Sequence, residues 1–348
     1  MSKPILGIIG GGQLGSMLAI AANKLEIKTV IFCDDNDAPA QNFCNEFING
    51  QYHDQDKIKE FISKVDVITY EFENIPYDTL HEINKIKPVL PKPSVNRIIQ
   101  HRLAEKDFIN NLNIRTTRYV SIYKKSEIDS VQDFLPGLLK TLTLGYDGKG
   151  QYLVNNLGSL DTIKIDYSKG YILEKLVKLK KEISIIITRF GDQNYEIYEP
   201  IENVHEDQIL KNSKIPAEIS NKILEQSKLW ATLISEELKY IGTLCVEFFI
   251  DRNDNLYVNE IAPRVHNSGH LTINAYNVSQ FENHVRAVCK LEQIPLKKIS
   301  NAKMTNIIGD QITNYRDKKY AENEFFFDYL KKEIKDKRKM GHLTTLII

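Results

Sequence analysis

One stretch decides the fold: TLCVEFFIDRNDNLYVNEIAPRVHNSGH, residues 243–270. Two apolar segments, residues 243–250 and 256–261, flank a run of turn-forming residues, which predicts a β-hairpin. If the hairpin closes symmetrically, Glu247 faces Glu260 across the two strands, and both side chains lie on one surface of the sheet. A slip of one residue in the register would place them on opposite faces.

The two glutamates make this hairpin a candidate metal site. Like charges placed opposite each other destabilise a hairpin unless a positive charge lies between them. Mg²⁺ carrying nucleotide phosphates is the simplest candidate, because it prefers hard oxygen ligands. For an acidic pair alone, an exposed hairpin with two solvated glutamates is the favoured alternative. The next loop contains Arg264, His266 and Asn267, which are anion-binding donors, and this favours a combined metal and anion site.

Length and composition narrow the class of protein. A chain of 348 residues predicts two or three domains. Its 46 basic and 46 acidic residues cancel, which argues against a nucleic-acid partner. Apolar runs stay well short of the ~20 residues needed to cross a bilayer, and the chain enters a strand at once, without room for a signal peptide. The four cysteines form neither a CxxC pair nor a disulfide framework, so we expect reduced thiols and a cytoplasmic protein.

The N-terminus carries a glycine-rich loop between a strand and a helix. Residues 5–9 are apolar, Gly10 to Gly15 satisfy G-x-G-x-x-G, and residues 16–24 predict a helix. A second strand, residues 29–33, ends in two aspartates, as a dinucleotide-binding fold requires. Amides at a helix N-terminus attract phosphate, so the loop predicts a phosphate-bearing ligand. Alone, it indicates a dehydrogenase; a glycine turn that only permits close packing is the alternative.

Acidic and basic residues follow the next strand, residues 67–70. Glu71 and Glu73 come at its C-terminal end, where ligands bind in open parallel sheets, and we expect both to be exposed. Ordinary loop charges are an equally good interpretation. Beyond a proline-punctuated boundary, a helix carries Arg97, Arg102 and Lys106 on nearby turns, and such a basic stripe predicts a solvated face.

The middle of the chain concentrates features of nucleotide binding. Lys140 ends a strand and precedes TLTLGYDGKGQ, residues 141–151, which predicts a glycine-rich flap over phosphates and does not match the P-loop. A plain β-turn is the alternative. A strand over residues 171–177 places Glu174 where it can accept a hydrogen bond from an adenine amine, and Glu182 opens a strand at a position suited to a ribose hydroxyl. His205 carries little weight unaided.

Seven motifs in this order resemble the N5-carboxyaminoimidazole ribonucleotide synthetase family, ATP-grasp enzymes of purine biosynthesis. They are GGGQLG, YEFENIP, KTxxxGYDGKGQ, EKLV, CVEFF, NEIAPRVHNSGH and RKMGH. The resemblance runs from about residue 6 to about residue 343. It implies an α/β and α+β fold with a Rossmann-like parallel-sheet domain (residues 1–96), an ATP-grasp domain (residues 97–291, flap subdomain about 118–180) and a small β-rich C-terminal domain (residues 292–348).

The resemblance also implies a role for each matching residue. Contacts to ATP fall to Arg102, Lys140, Gly145, Tyr146, Asp147, Gly148, Lys149, Gly150, Gln151, Glu174, Lys175, Leu176, Val177, Glu182, His205, Asn259 and Glu260. Mg²⁺, with Mn²⁺ as an alternative, falls to Glu247 and Glu260. Bicarbonate and the carboxyphosphate made from it fall to Arg264, His266, Asn267, Tyr146 and Asp147, with Lys140 also catalytic. The aminoimidazole ribonucleotide falls to Gln13, Leu14 and Glu73, and its 5′-phosphate to Lys149, Lys331 and Arg338.

The implied activity is ATP-dependent carboxylation of 5-aminoimidazole ribonucleotide by a homodimer that binds neither nucleic acid nor membrane. Such an enzyme must exclude water from carboxyphosphate and offset the repulsion between two anions by positioned positive charge. The chain departs from the family pattern at Leu142 and Leu144 in the flap, which predicts a stiffer or differently docked flap. Its tail also differs, which leaves open which lysine grips the phosphate.

Other enzyme classes explain less of the sequence. A dehydrogenase accounts for the glycine loop but leaves Glu247, Glu260 and the loop after them without a role. An inert nucleotide-binding protein would lack the carboxylates or the Arg264/His266 pair. A formate-dependent glycinamide ribonucleotide transformylase shares the ATP site, but HNSGH and RKMGH argue against it. Biotin-dependent carboxylases are longer than this chain.

Overall fold

The computed structural model describes residues 3–143, 150–163 and 165–347, which form three β-sheets with helices around them. The first sheet is parallel, with strand order β3-β2-β1-β4. Its elements are β1 (Leu6–Ile9), α1 (Gln13–Lys24), β2 (Thr29–Cys33), β3 (Glu46–Asn49), α2 (Gln55–Ser63), β4 (Val67–Tyr70) and α3 (Tyr77–Asn84), with a 3₁₀ turn at Pro39–Asn42.

This N-terminal unit is the predicted Rossmann-like sheet. Strands β1, β2 and β4 are buried along their whole length, as parallel strands covered by helices on both faces must be. Helix α1 begins at Gln13, earlier than predicted, because the three glycines Gly10 to Gly12 complete the turn out of β1. The apolar faces of α2 and α3 pack on the other side of the sheet.

A small antiparallel sheet follows two helices. Helices α4 (Pro93–Ile99) and α5 (Arg102–Asn111) replace the single helix predicted there. The sheet has strand order β5-β8-β6-β7. Its elements are β5 (Tyr119–Ile122), a 3₁₀ helix (Lys125–Phe134), β6 (Gly137–Thr141), β7 (Gln151–Val154), α6 (Leu157–Thr162), a 3₁₀ turn (Tyr167–Lys169) and β8 (Tyr171–Lys175). Strands β6 and β7 pair antiparallel, as expected for strands flanking a flap, and residues 144–149 of that flap lie outside the described part of the chain.

The largest sheet carries the hairpin. Its order is β14-β13-β9-β11-β12-β15-β17-β16, with β10 also paired to β9. Its strands are β9 (Leu179–Gly191), β10 (Asn194–Ile197), β11 (Ile201–Glu206), β12 (Ile209–Ile215), β13 (Gly242–Asp251), β14 (Leu256–Ala262), β15 (Asn301–Ile308), β16 (Glu324–Asp328) and β17 (Lys339–Ile347). Its helices are α7 (Asn221–Glu237), α8 (Thr272–Ala275), α9 (Gln280–Val288) and α10 (Ile312–Arg316), with 3₁₀ turns at Asn267–Leu271 and Gly309–Gln311.

The C-terminal strands extend the central sheet. Ser213 and Lys214 of β12 pair with Met304 and Lys303 of β15, so β15, β17 and β16 continue the sheet that contains the hairpin. The main core of this unit lies between the sheet and α7, where Trp230 packs against Phe248. Residues from the C-terminus therefore reach the same sheet face as residues of the hairpin.

Two further predictions concern single side chains and membranes. Cys33, Cys245 and Cys289 are buried and unbonded, as expected. Among the described residues, no helix combines the length and apolar character that a membrane span requires.

Candidate active site

One cavity of about 750 Å³ gathers most of the predicted site residues. Its walls come from the glycine loop and the end of β4, from α5, from β6, from the central sheet with its hairpin, and from the C-terminal residues 331–339. The carboxyl ends of parallel strands β1, β2 and β4 face this cavity, which is where ligands bind in open α/β sheets. The cavity is therefore bounded by all three parts of the fold.

The hairpin places its two glutamates opposite each other, as predicted, but through a bulge. Near the turn, Phe248 pairs with Val258, and that register alone would set Glu247 opposite Asn259. Asn259 is the extra residue of a β-bulge, so Glu247 pairs with Glu260. The side-chain Oδ1 of Asn259 is buried and has no hydrogen-bond partner among the described residues.

The side-chain oxygens on the two opposed strands of the hairpin suit Mg²⁺. Glu247, Glu260 and Asn259 all line the cavity, and an unpartnered buried oxygen beside two carboxylates is stabilised by a cation. A second donor set lies beside them: one ligand atom each from Cys245, Glu247 and His266 lie within 4.8 Å of one another. That set adds a thiol and an imidazole, which suit softer ions better than Mg²⁺.

Two residues of helix α5 form hydrogen bonds with the backbone at the bulge. Lys106 Nζ donates to the carbonyl of Asn259 at 3.0 Å, and Glu105 Oε1 accepts from the amide of Ile261 at 2.6 Å. Lys106 is 1% exposed, so the prediction of a solvated basic stripe is wrong here. Its carbon chain and its charge are both buried because Glu174 and the bulge carbonyl face it. The helix thus fixes the residues on either side of Glu260.

Glu247 is held ionised by its neighbours. Its Oε1 lies 2.8 Å from His266 Nε2. Burial raises the pKa of Glu247, but His266, His205 and Arg264 outweigh burial and hold the pKa well below its usual value. Glu260 lies 3.4 Å from Arg102 Nη1. Both carboxylates therefore face hydrogen-bond donors or cationic side chains that line the same cavity.

Arg264 forms a two-pronged ion pair with Glu73 across the cavity. Arg264 Nη2 donates to Glu73 Oε1 at 2.9 Å, and Arg264 Nε donates to Glu73 Oε2. Burial raises the pKa of Glu73, but the guanidinium outweighs it and lowers the pKa below its usual value. The pair joins the end of β4 to the loop after β14, so two residues predicted to contact different substrates are bonded to each other.

Glu174 lies in a buried ion-pair cluster. Its carboxylate is 3.0 Å from Lys140 Nζ and 3.3 Å from Lys106 Nζ, and it accepts from Thr117 Oγ1 at 2.9 Å. Burial raises the pKa of Glu174, but the two lysines bring it down to about 2. Glu174 and the next three residues lie outside the cavity lining, whereas Lys140 is part of it. An adenine contact at residues 174–177 stays a prediction.

Glu182 and His205 form a pair on adjacent strands β9 and β11. His205 Nδ1 lies 2.7 Å from Glu182 Oε2, and both side chains line the cavity. Burial lowers the pKa of His205, but Glu182 outweighs it and raises the pKa above its usual value. The pair places His205 in the cavity wall, which its sequence neighbours alone did not predict.

The glycine loop is occupied by a carboxylate of the chain itself. Glu71 accepts from the amide of Gly12 at 2.7 Å and from that of Gly15 at 3.1 Å. A Cβ on Gly12 would lie 2.8 Å from Glu71 Oε1. Glu71 is 9% exposed, so the expectation that it is an exposed acid is wrong. Its carboxylate accepts from two of the amides with which a dinucleotide fold binds phosphate, so these two amides are already hydrogen-bonded within the chain.

The opposite end of the cavity is basic. Lys331, Lys337, Arg338 and Lys339 line it, and Lys331 Nζ donates to Gln13 Oε1 and to the carbonyl of Lys339, each at 2.7 Å. Lys331 therefore ties the C-terminal segment to the first residue of α1. The family resemblance assigned roles to Lys331 and Arg338 but not to Lys337 and Lys339.

Asn267 has both polar groups engaged by the C-terminal part of the sheet. Its Nδ2 donates to Asn306 Oδ1 at 3.1 Å, and its Oδ1 accepts from Asn306 Nδ2 at 2.6 Å. Asn306 also donates to the carbonyl of Leu210. Asn267 lines the cavity but is 7% exposed, so this amide pair holds the anion-binding loop against β15.

The predicted site residues therefore fall into three groups. The cavity is lined by Gln13, Leu14, Glu73, Arg102, Lys140, Gln151, Glu182, His205, Glu247, Asn259, Glu260, Arg264, His266, Asn267, Lys331 and Arg338. Gly150, Glu174, Lys175, Leu176 and Val177 lie outside that lining. Gly145, Tyr146, Asp147, Gly148 and Lys149, together with Leu144, lie outside the described residues. Leu142 is buried and lines the cavity.

Three family models match successive parts of the chain. A ribonucleotide synthetase preATP-grasp domain matches residues 2–100, an ATP-grasp domain matches residues 107–281, and a phosphoribosylaminoimidazole carboxylase C-terminal domain matches residues 302–347. The matches follow the three parts of the predicted fold, whose finer boundaries stay predictions.

Several relatives match over nearly the whole chain. The N5-carboxyaminoimidazole ribonucleotide synthase of Staphylococcus aureus (strain MRSA252) is 39% identical, over 98% of this chain and 92% of its own length. The crystal structure of N5-carboxyaminoimidazole synthetase from S. aureus complexed with ADP matches with a TM-score of 0.93 and 36% identity, over 99% of this chain and 93% of that one. The enzyme from Aspergillus clavatus, in complex with ADP and 5-aminoimidazole ribonucleotide, matches with a TM-score of 0.91 and 26% identity, over 99% and 94%.

Proposed function

This chain belongs to the N5-carboxyaminoimidazole ribonucleotide synthase family, and from that membership we propose how its own residues divide the reaction among them. The enzyme is an ATP-grasp carbon–nitrogen ligase of purine biosynthesis. It joins bicarbonate to the exocyclic amine of 5-aminoimidazole ribonucleotide and converts ATP to ADP and phosphate. One observation carries the residue assignment: a single cavity is lined by the carboxylate pair, by Arg264 and His266, and by the basic C-terminal segment.

ATP takes the side of the cavity formed by β6, β9 and the hairpin. Lys140 offers its ammonium to the phosphates, and Glu182 offers its carboxylate to ribose hydroxyls. Glu247 and Glu260, with the Oδ1 of Asn259, would hold Mg²⁺, which supplies charge neutralisation on the β- and γ-phosphates when bound. Mn²⁺ suits the same oxygen donors.

Bicarbonate binds beside Arg264 and His266, between the ATP side of the cavity and its basic end at residues 331–339. A bicarbonate oxygen attacks the γ-phosphorus, the bond to ADP breaks, and carboxyphosphate forms. Arg264 and Lys140 offset the repulsion between the two anions, since positioned cations act where charge develops. Carboxyphosphate decomposes in water, so the cavity has to be closed over it, a role we assign to the flap that includes residues 145–151.

The ribonucleotide takes the end formed by the glycine loop and residues 331–339. Its phosphate is held by Lys331 and Arg338, and its aminoimidazole faces Gln13, Leu14 and Glu73. The amine attacks the carboxyl carbon of carboxyphosphate, phosphate leaves, and the amine loses a proton. A homodimeric assembly and a cytoplasmic location, both implied by the family resemblance, are part of this proposal.

The deciding experiment measures ADP formation with bicarbonate, with and without 5-aminoimidazole ribonucleotide, and follows ¹³C-bicarbonate into the product by NMR. We expect ADP and a labelled carbamate carbon only when all three substrates are present. ADP formation that depends on formate and glycinamide ribonucleotide would overturn the substrate assignment. Saturable binding of NADH, detected by its fluorescence, would overturn the assignment of the glycine loop.

A further inference from the structure

A row of hydrogen-bonded, buried polar side chains runs beneath the cavity and ends at His266. Ser268 Oγ lies 2.9 Å from His266 Nδ1 and 2.7 Å from Ser184 Oγ. Asn203 Nδ2 donates to Ser184 Oγ at 3.0 Å, and Ser213 Oγ donates to Asn203 Oδ1 at 2.9 Å. Each of these four residues is 6% exposed or less. Burying a hydroxyl or an amide costs free energy unless the group is hydrogen-bonded, so this row of side chains is stable only when all its hydrogen bonds are made.

The central sheet sets this row. Ser184 of β9 is the register partner of Glu247 on β13, and Asn203 of β11 is the register partner of Ser213 on β12. Cross-strand partners point to the same face of a sheet. The row thus crosses neighbouring strands on the face that carries Glu247, and Ser268 closes it from the loop after the hairpin.

The contacts on His266 favour one arrangement of its protons. Glu247 Oε1 lies 2.8 Å from Nε2, and a carboxylate oxygen accepts in such a contact, so Nε2 is the nitrogen that donates. On the other side of the ring, the backbone amide of Ser268, which can only donate, lies 3.4 Å from Nδ1. A proton on Nδ1 would face that N–H, so Nδ1 is an acceptor and the hydroxyl of Ser268 donates to it.

We propose that Ser268, supported by Ser184 and Asn203, is a positioning residue that holds the His266 ring with Nδ1 as a hydrogen-bond acceptor and with Nε2–H directed into the cavity. The tautomer rests on geometry alone, whereas its use in catalysis rests on the proposed function. In the proposed reaction, Nε2–H donates its hydrogen bond to an oxygen of bicarbonate or carboxyphosphate instead of to Glu247. A ring free to rotate or to exchange tautomers would present a lone pair to an anion for part of the time.

The first test reads the tautomer by NMR, without substrates and without activity. The ¹⁵N-labelled enzyme is recorded in a long-range ¹H–¹⁵N correlation spectrum near pH 7, and His266 is assigned by the signals missing in His266→Gln. We expect the pattern of a single Nε2–H tautomer. An Nδ1–H or doubly protonated ring in the wild-type enzyme would overturn the proposal, whatever the enzyme's substrate.

The second test removes the hydroxyl. In Ser268→Ala we expect the two ¹⁵N shifts of His266 to move towards each other and kcat to fall by about ten- to a hundredfold, as for a displaced catalytic group, with KM for ATP within about twofold of wild type. Ser184→Ala should produce a smaller change of the same kind.

Thr188→Val is the matched control, because the Thr188 and Thr243 hydroxyls form a buried pair at 2.7 Å between the same strands, β9 and β13. It removes a buried hydroxyl from the sheet without touching the row that ends on His266. If Ser268→Ala leaves the His266 shifts unchanged and lowers kcat no more than Thr188→Val does, the proposal is wrong.

Discussion

Glu247 lies opposite Glu260 only because Asn259 bulges out of β14. Without the bulge, Glu247 would face Asn259, and Glu260 would be shifted by one position to the other face of the sheet. The bulge is held by Lys106 from α5, through the carbonyl of Asn259. The geometry of the proposed metal site is therefore set by a buried lysine of another element as well as by the two glutamates.

Glu260→Gln tests the carboxylate pair. The substitution keeps the shape of the side chain and removes one charged oxygen from the proposed metal site, so turnover should fall at least about a hundredfold, as it does when a group stabilising transition-state charge is lost. Glu260 is 41% exposed in its side chain, and the fold should persist. ADP formation measured over a range of Mg²⁺ concentrations should show a weaker dependence on the metal.

The control for this variant is Glu237→Gln, which removes an exposed carboxylate at the end of α7, away from the cavity lining. Its activity should match that of the wild type. If Glu260→Gln is as active as Glu237→Gln, the metal binds elsewhere.

Glu71→Gln tests whether the carboxylate shapes the glycine loop. A glutamine can accept from one of the two amides, of Gly12 or Gly15, but its NH₂ group must face the other. A buried donor left without an acceptor costs about 1–3 kcal/mol, so the loop that carries Gln13 and Leu14 should shift. We expect KM for the ribonucleotide to rise about tenfold, while KM for ATP changes by less than about twofold.

A carboxylate of the same domain provides the comparison. Asp66 also accepts from a backbone amide, that of Ile5 at 2.8 Å, but lies outside the cavity lining. Asp66→Asn should lower the melting temperature somewhat and leave both KM values unchanged. Equal changes in the two KM values of Glu71→Gln would show that the loop has no special part in binding the ribonucleotide.

Residue patterns predicted the first strands, the glycine turn and the opposed glutamates, because strand alternation and turn residues are local properties of the sequence. The three-part fold was predicted from the resemblance to a known family. Lys106 and Glu71 were predicted to be solvated, and both are buried. Their partners, the carbonyl of Asn259 and the amide of Gly12, lie 153 and 59 residues away along the chain. Local periodicity carries no information on such contacts, which depend on how separate elements pack. The same reason hid the row that joins Ser213 to His266.

The ion pair between Glu73 and Arg264 predicts a coupling that a double-mutant cycle can measure. Glu73→Gln and Arg264→Gln each leave a charged partner in a mostly buried place, and the double variant removes both charges. The effects on the free energy of unfolding should fall short of additive by about 1–3 kcal/mol. Urea denaturation of the four proteins gives this energy. Additive effects would mean that the pair is exchanged for water in solution.

Glu105→Gln should alter how stability depends on pH. Glu105 is 3% exposed; burial, with a smaller contribution from Glu260, raises its pKa to about 8 from the usual 4.5. Between these values the folded protein holds a proton that the unfolded chain has released, so the contribution of Glu105 to stability falls as pH rises through this window. Glutamine mimics the protonated acid, and its Oε1 can still accept from the amide of Ile261. The variant should match the wild type near pH 5 and exceed its free energy of unfolding by at least about 1 kcal/mol near pH 8. Urea denaturation at both pH values, with EDTA present, gives the difference, in which other titrating groups cancel. If the difference in free energy of unfolding between the variant and the wild type stays constant with pH, Glu105 is already ionised at pH 5. In that case another charged group must stabilise the Glu105 carboxylate beside Glu260.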